Sequence, residues 1–155
     1  MKKACSIFLF MFIAIFCQAQ KDVTEKFTKL NVLLANAVGQ QYNIEGTSTP
    51  CFVGEQVFSE AVIESRTKIN ESEWISRYQK MQWTGFNDYS FETVEGNENL
   101  LKCRVEFKET VDWVHYKNGN KKAKAIQSPH TEFYFLSKDR AQADRLLTLI
   151  GLHFF

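Results

Sequence analysis

The first clear hydrophobic pattern after residue 20 is a helical stripe. Apolar residues recur there at spacings of three and four, as they do on one face of an α-helix: Val23, Phe27, Leu30, Leu34 and Ala37. Asp22 and Glu25 have the spacing of a capping box, and Gly39 is a suitable stop. The pattern predicts an amphipathic surface helix over residues 22–38.

Most of the following chain alternates between apolar and polar residues, which predicts strands. The alternation is clearest at residues 99–108, where one face of the strand is expected to be buried and the other wet. Further strands are predicted at 56–69, 77–84, 89–95, 111–117, 121–127 and 131–136. Residues 71–76 suit a strand or a helical turn, and we prefer the turn. Asn118-Gly119 suits a tight hairpin turn, and Ser128-Pro129-His130 is expected to break the chain.

A second amphipathic helix closes the pattern. It begins at Ser137 or Asp139, is expected to stop at Gly151, and shares one apolar face among Ala143, Leu146, Leu147 and Ile150. The sequence therefore predicts the α+β class, with an N-terminal helix, about seven antiparallel strands and a C-terminal helix.

This order of elements resembles the pleckstrin-homology-like roll over residues 56–151. A single curved antiparallel sheet with two helices on one face is the alternative architecture. The C-terminal helix has no tryptophan, whereas many pleckstrin-homology domains carry one there. Phosphoinositide binding is therefore not expected to carry over from the resemblance.

The first nineteen residues predict a secretory signal peptide. Two lysines precede an apolar run that ends at Cys17, and Ala19 is a small residue suited to cleavage. The run is shorter than the roughly 20 apolar residues that a membrane-spanning helix needs. Lipidation at Cys17 is the weaker alternative, because Phe16 precedes it where lipoprotein signals have a small residue. We expect an exported protein, periplasmic or extracellular, with a single domain over residues 20–155.

Composition and motifs narrow the function further. Loss of Lys2 and Lys3 with the signal leaves 17 basic and 18 acidic residues, so no global positive charge favours nucleic acid. The chain has no CxxC, HxxxH or HExxH spacing for a metal, no GxSxG and no glycine-rich phosphate loop. His130 and Glu132 alternate on a strand, but exposed polar residues explain them better than a metal site does. We expect no cofactor and no metal.

Cys51 and Cys103 are the two cysteines that remain after the signal. In an oxidising compartment they could form a disulfide, which would close a long loop and add roughly 3–4 kcal/mol of stability. The alternative is two reduced thiols, with Cys103 buried in its strand.

Two groups of residues carry binding hypotheses. A basic hairpin tip could touch an anionic lipid or polysaccharide, although a solubilising turn is the commoner explanation: Lys117, Lys121, Lys122 and Lys124. An aromatic group could face solvent and contact a glycan or a protein: Trp83, Phe86 and Tyr89.

The sequence as a whole favours a non-enzymatic binding or structural module. A small periplasmic enzyme and a carbohydrate-binding module are the alternatives. A pocket with convergent polar side chains would favour an enzyme, whereas an exposed apolar or aromatic patch at a sheet edge would favour binding.

Overall fold

A computed structural model describes residues 21–121 and 125–154 of the chain. Helix α1 occupies residues 21–36 and helix α2 occupies Arg140–Phe154, with 3-10 turns at Trp83–Gly85 and Ser137–Asp139. The strands are β1 (Gln41–Asn43), β2 (Pro50–Phe58), β3 (Val62–Ile69), β4 (Ser72–Gln79), β5 (Phe86–Val94), β6 (Asn97–Lys117), β7 (Asn120–Lys121) and β8 (Ile126–Leu136). The predicted signal peptide lies outside the described residues, and none of the described helices is long and apolar enough to cross a membrane.

The strands form one antiparallel sheet that curls into a half-barrel. Strand order runs β1-β2-β3-β4-β6, and the long strand β6 also pairs with β5, β7 and β8. The first half of β6 pairs with β5 and the second half with β4. Strand β8 pairs with both halves, across a register shift between Glu106 and Val111. The predicted α+β class is confirmed, with one helix before and one helix after the strands of a curved antiparallel sheet.

Both helices bury their apolar faces in one main core. Four helix side chains are fully buried, at 0% exposure: Leu30 and Leu34 of α1, and Leu147 and Ile150 of α2. They meet the phenylalanine rings of the sheet, which are Phe58, Phe133 and Phe135 among others. Burying one such Leu, Ile or Phe side chain stabilises the fold by about 1.5–3 kcal/mol. The two helices therefore owe their positions to this core.

One side chain joins β2 to β8, which are not neighbours in the sheet. Gln56 lies at a register shift of β2 and is 8% exposed. Its Nε2 donates to the carbonyl oxygens of Tyr134, at 2.9 Å, and Leu34, at 3.3 Å. Its Oε1 accepts from the backbone N–H of Tyr134 at 2.7 Å. The Gln56 amide thus satisfies both backbone groups of one β8 residue and fastens the two ends of the curl.

Polar side chains also fasten the helices to the sheet. In α1, Asn31 donates to the carbonyl of Phe58 at 2.9 Å and accepts from its N–H at 2.8 Å. In β5, the Tyr89 hydroxyl lies 3.0 Å from Asp144 Oδ1 and 2.7 Å from the Thr148 hydroxyl, both in α2. These bonds complete a unit in which helices and sheet fix each other's position.

Two predictions about the first half of the sheet are wrong. Residues 56–69 are not one strand, because β2 ends at Phe58 and a turn leads into β3. Ser59 builds that turn, since its N–H and hydroxyl both donate to the Val62 carbonyl. Residues 71–76 are not a helical turn but the start of β4, which pairs with β3 along its whole length. Asn70, at a φ of +54°, forms the tight turn between them.

Three predicted boundaries in the second half are also wrong. The strands predicted at 99–108 and 111–117 belong to the single strand β6. Strand β8 continues through Pro129, which sits opposite the register shift of β6 and so interrupts no regular ladder. Helix α2 continues past Gly151 to Phe154. A Cβ at Gly151 would lie 2.8 Å from the Phe86 ring, so this glycine permits close packing rather than ending the helix.

Candidate ligand-binding cavity

A cavity of about 710 Å³ lies within the curl of the sheet. Residues of β1 to β6 and of β8 line it, together with residues of the connecting loops. Its lining is aromatic, aliphatic and charged: Tyr42, Asn43, Ile44, Glu45, Cys51, Thr67, Ile69, Trp74, Glu92, Thr93, Val94, Glu95, Lys102, His115, Glu132 and Tyr134. The helices pack on the main core and contribute no lining residue.

Strand register brings these side chains to one face. Thr67 of β3 pairs with Trp74 of β4, so the two side chains point to the same side of the sheet. In the same way Lys102 of β6 pairs with both Glu92 of β5 and Tyr134 of β8. The curl then turns the β6 face toward the β3 and β4 face.

Aromatic rings form one wall of the cavity. The rings of Tyr42 and Tyr134 are 5.0 Å apart, and the Tyr42 hydroxyl donates to the Tyr134 hydroxyl at 3.0 Å. Burial raises the pKa of both tyrosines, so both hydroxyls stay protonated at neutral pH. The Trp74 ring lies 5.4 Å from the His115 ring.

Charged side chains line the cavity beside these rings, since Lys102 pairs with Tyr134 on the neighbouring strand. The Lys102 ammonium is 3.4 Å from a Glu92 oxygen and 3.9 Å from a Glu45 oxygen. Next to it, Arg104 donates through Nε and Nη2 to the same oxygen of Glu132, Oε1, at 3.2 and 2.9 Å. This hydrogen bonding to Glu132 raises the pKa of Arg104. The cavity therefore contains fixed charges of both signs.

The cysteines lie in different clusters and form no disulfide. Cys51 is 1% exposed and belongs to the small cluster beside the cavity, whereas Cys103 has no exposure and lies in the main core. Both are free thiols, so the disulfide hypothesis is not supported and the alternative of two reduced thiols describes the structure. Burial raises the pKa of both thiols.

The predicted basic tip is described only in part. Lys117, at the end of β6, is half-buried, with its ammonium 5.2 Å from the centre of the Trp74 ring. Lys121 belongs to β7. Lys122 and Lys124 lie outside the described residues. The binding role of the lysine group stays a prediction, and the Lys117 ammonium lies over an aromatic ring that lines the cavity.

The prediction of solvent-facing aromatic rings is wrong for Trp83 and Phe86. Trp83 and Phe86 are each 5% exposed and belong to the main core. The Trp83 indole N–H donates to the Glu60 carbonyl at 2.7 Å, which satisfies its polar atom inside the protein. Tyr89 is half-buried, and its hydroxyl is bonded to α2. These rings fill the core because a curled sheet with helices at one end needs large apolar groups there.

The residues that do meet at the cavity were missed by the sequence reasoning. The alternation of Lys102 and Arg104 with apolar residues predicts a solvent-exposed face of β6. Glu132 and Tyr134 show the same alternation in β8, and pairing the two strands would have placed all four side chains together. Trp74 carries no such signal, because the sequence of residues 71–76 suits a helical turn as well as a strand.

Comparisons with known proteins give no relative for this chain. No family model, no curated protein and no solved structure matches it. The resemblance to the pleckstrin-homology-like roll thus stays a prediction from the order of elements.

Among the described residues, no group of three or more His, Cys, Asp or Glu residues could hold a metal ion.

Proposed function

We propose that the protein is a non-enzymatic binding module that holds a small molecule in the cavity of its half-barrel. The observation that carries the proposal is the cavity itself, about 710 Å³ in volume and lined by both aromatic rings and charged side chains. Sites for small organic ligands usually have volumes of roughly 300–1,000 Å³ and combine apolar walls with a few polar groups. The cavity has both properties.

The charge of the lining restricts the ligand. Four glutamates and one lysine line the cavity, so its charged groups are mainly negative. Like charges repel strongly where water is partly excluded. Anionic molecules are therefore disfavoured, and a neutral or positively charged ligand is expected.

An enzyme is the second candidate, because polar side chains converge on the cavity. Neither the Cys51 thiol nor the Glu132 carboxylate, however, is in a state that favours catalysis. Burial raises the pKa of Cys51, which keeps it a thiol rather than a nucleophilic thiolate. The Glu132 carboxylate is held by the Arg104 guanidinium, so its charge is already compensated. We therefore prefer binding without turnover.

Export is part of the proposal and rests on the first nineteen residues alone. If the segment is a cleaved signal, the ligand is encountered outside the cytoplasm. Sequencing the N-terminus of the protein recovered from an exporting bacterial host tests this step. A chain that begins at Gln20 supports export, and an intact Met1 argues against cleavage.

A thermal-shift screen tests the binding proposal. Full-length protein produced in an exporting host is heated with neutral, cationic and anionic small molecules. A ligand present at about 100 times its Kd stabilises the folded state by about 2.7 kcal/mol. For a domain of this size the expected rise in Tm is roughly 5–10 °C.

The matched variants are Thr67→Trp and Lys68→Trp. Thr67 lines the cavity, so a larger side chain there would occupy ligand space, whereas its neighbour Lys68 is exposed. The proposal expects Thr67→Trp to abolish the shift and Lys68→Trp to retain it. Stabilisation that survives in Thr67→Trp, or turnover of the stabilising molecule, would contradict a binding module acting through this cavity.

A further inference from the structure

We infer that the molecule bound in the cavity is a neutral saccharide, an inference that rests on the proposed binding function of the cavity. The cavity offers a hydrogen-bond donor, a hydrogen-bond acceptor and a wall of aromatic rings within one space. A sugar ring presents hydroxyl groups around its edge and apolar C–H groups on its faces. The two sets of surfaces match.

The donor is the ammonium group of Lys102. Its side chain is only 16% exposed, and its ion-pair distances of 3.4 Å to Glu92 and 3.9 Å to Glu45 exceed normal hydrogen-bond length. Within the described part of the chain this ammonium has no hydrogen bond to protein. The ammonium is partly covered and its two carboxylate partners lie beyond hydrogen-bond length, so a ligand oxygen at its Nζ would supply a hydrogen bond that it lacks.

The acceptor is the second carboxylate oxygen of Glu132, Oε2. Among the described residues, the side-chain hydrogen bonds and ion pairs of Glu132, to Arg104 and to His130, fall on Oε1. Oε2 is therefore left to accept from a ligand in the cavity that Glu132 lines. A hydroxyl is the group that accepts from an ammonium and donates to a carboxylate with the same atom.

The aromatic wall completes the match. Trp74, Tyr42 and Tyr134 line the cavity, and their rings can pack against the C–H face of a sugar. A ligand amine would be attracted by the Glu132 carboxylate but repelled by the Lys102 ammonium. A ligand carboxylate would be attracted by Lys102 but repelled by the four glutamates that line the cavity. A neutral polyhydroxyl ring satisfies both groups without a net charge.

Isothermal titration calorimetry with three sets of probes tests the inference. The sets are neutral mono- and disaccharides, primary amines with amino acids, and uronic acids as anionic sugars. The expected result is binding of at least one neutral saccharide and much weaker binding of the corresponding uronic acid. Lys102→Met and Glu132→Gln should each weaken that binding about tenfold or more, because each removes one charge-assisted hydrogen bond.

Controls separate a lost contact from a lost fold. Lys68→Met and Glu71→Gln remove the same groups from exposed positions and should leave the affinity unchanged. The urea midpoint of each variant confirms that the compared proteins are folded, and Lys102→Arg, which retains a donor, should keep part of the affinity.

The outcomes also separate this inference from the proposed function. Binding of amines or amino acids in the cavity, without any neutral saccharide, would overturn the ligand class while leaving the binding module intact. Saccharide binding that ignores both cavity substitutions would overturn the assignment of the site. Absence of binding for all three sets would overturn both proposals.

Discussion

Gln56 provides the sharpest test of how the half-barrel is held together. Its amide makes three hydrogen bonds to backbone groups, two to Tyr134 of β8 and one to Leu34 of α1. Gln56→Met keeps the length of the side chain and removes all three bonds. Each buried backbone group left without a partner costs about 1–3 kcal/mol. The Leu34 carbonyl still accepts from the Ala37 N–H, so only the two Tyr134 groups lose their partner. At the lower end of that range, the free energy of unfolding should fall by about 2 kcal/mol.

Urea denaturation measures this loss. With a slope of about 1.5 kcal/mol per molar urea, a loss of about 2 kcal/mol lowers the midpoint by about 1.3 M. The exposed Gln82 provides the matched control, and Gln82→Met should leave the midpoint unchanged. Gln56→Glu retains an acceptor for the Tyr134 N–H but places a carboxylate against two carbonyl oxygens, so it should destabilise at least as much at neutral pH.

The reasoning fails if Gln56→Met costs less than about 1 kcal/mol, which is the worth of a single ordinary hydrogen bond. Such a result would mean that water or a local shift satisfies the freed backbone groups. The ends of the curl would then be held by core packing alone.

Three further predictions concern stability and reactivity. Glu64 is 5% exposed and pairs with two arginines of the outer sheet face, so Glu64→Gln should lower the free energy of unfolding by about 1–2 kcal/mol in urea, whereas Glu71→Gln should not. Burial raises the pKa of Cys103 and Tyr78, which therefore keep their protons in the folded state at pH values where the unfolded chain loses them. Stability measured in urea should consequently fall as pH rises above about 9, and Tyr78→Phe should weaken that dependence; a flat profile from pH 7 to 11 would contradict it. Ellman's reagent should leave Cys51 and Cys103 unmodified in the folded protein and label both in urea, as peptide mapping would show, since they are 1% and 0% exposed.

The strongest periodic signals in the sequence predicted the fold class correctly. The three-and-four spacing of α1 and the alternation of β6 are each set by a single face buried in the main core. The hairpin between β2 and β3 was missed because Ser59-Glu60-Ala61 contains no glycine, proline or asparagine. The turn is built instead by hydrogen bonds from Ser59 to the Val62 carbonyl, which a residue pattern does not reveal.

The cavity could not be predicted from the sequence, for a different physical reason. Its residues extend from Tyr42 to Tyr134 along the chain and meet only through strand register and the curl of the sheet. An alternating charged face is ordinarily a solvent face, as was expected for Lys102 and Arg104. Here the curl turns that face toward β3 and β4, so residues with the pattern of a solvent face line a cavity instead. The curl depends on long-range contacts such as that of Gln56 with β8.

A crystal structure of the protein with the best-binding saccharide from the calorimetric titrations tests the central claim most directly. The account predicts a sugar within the half-barrel, with a hydroxyl oxygen at hydrogen-bond distance from both Lys102 Nζ and Glu132 Oε2 and a ring face against Trp74. A saccharide bound on another surface, with the cavity filled by water, would contradict it.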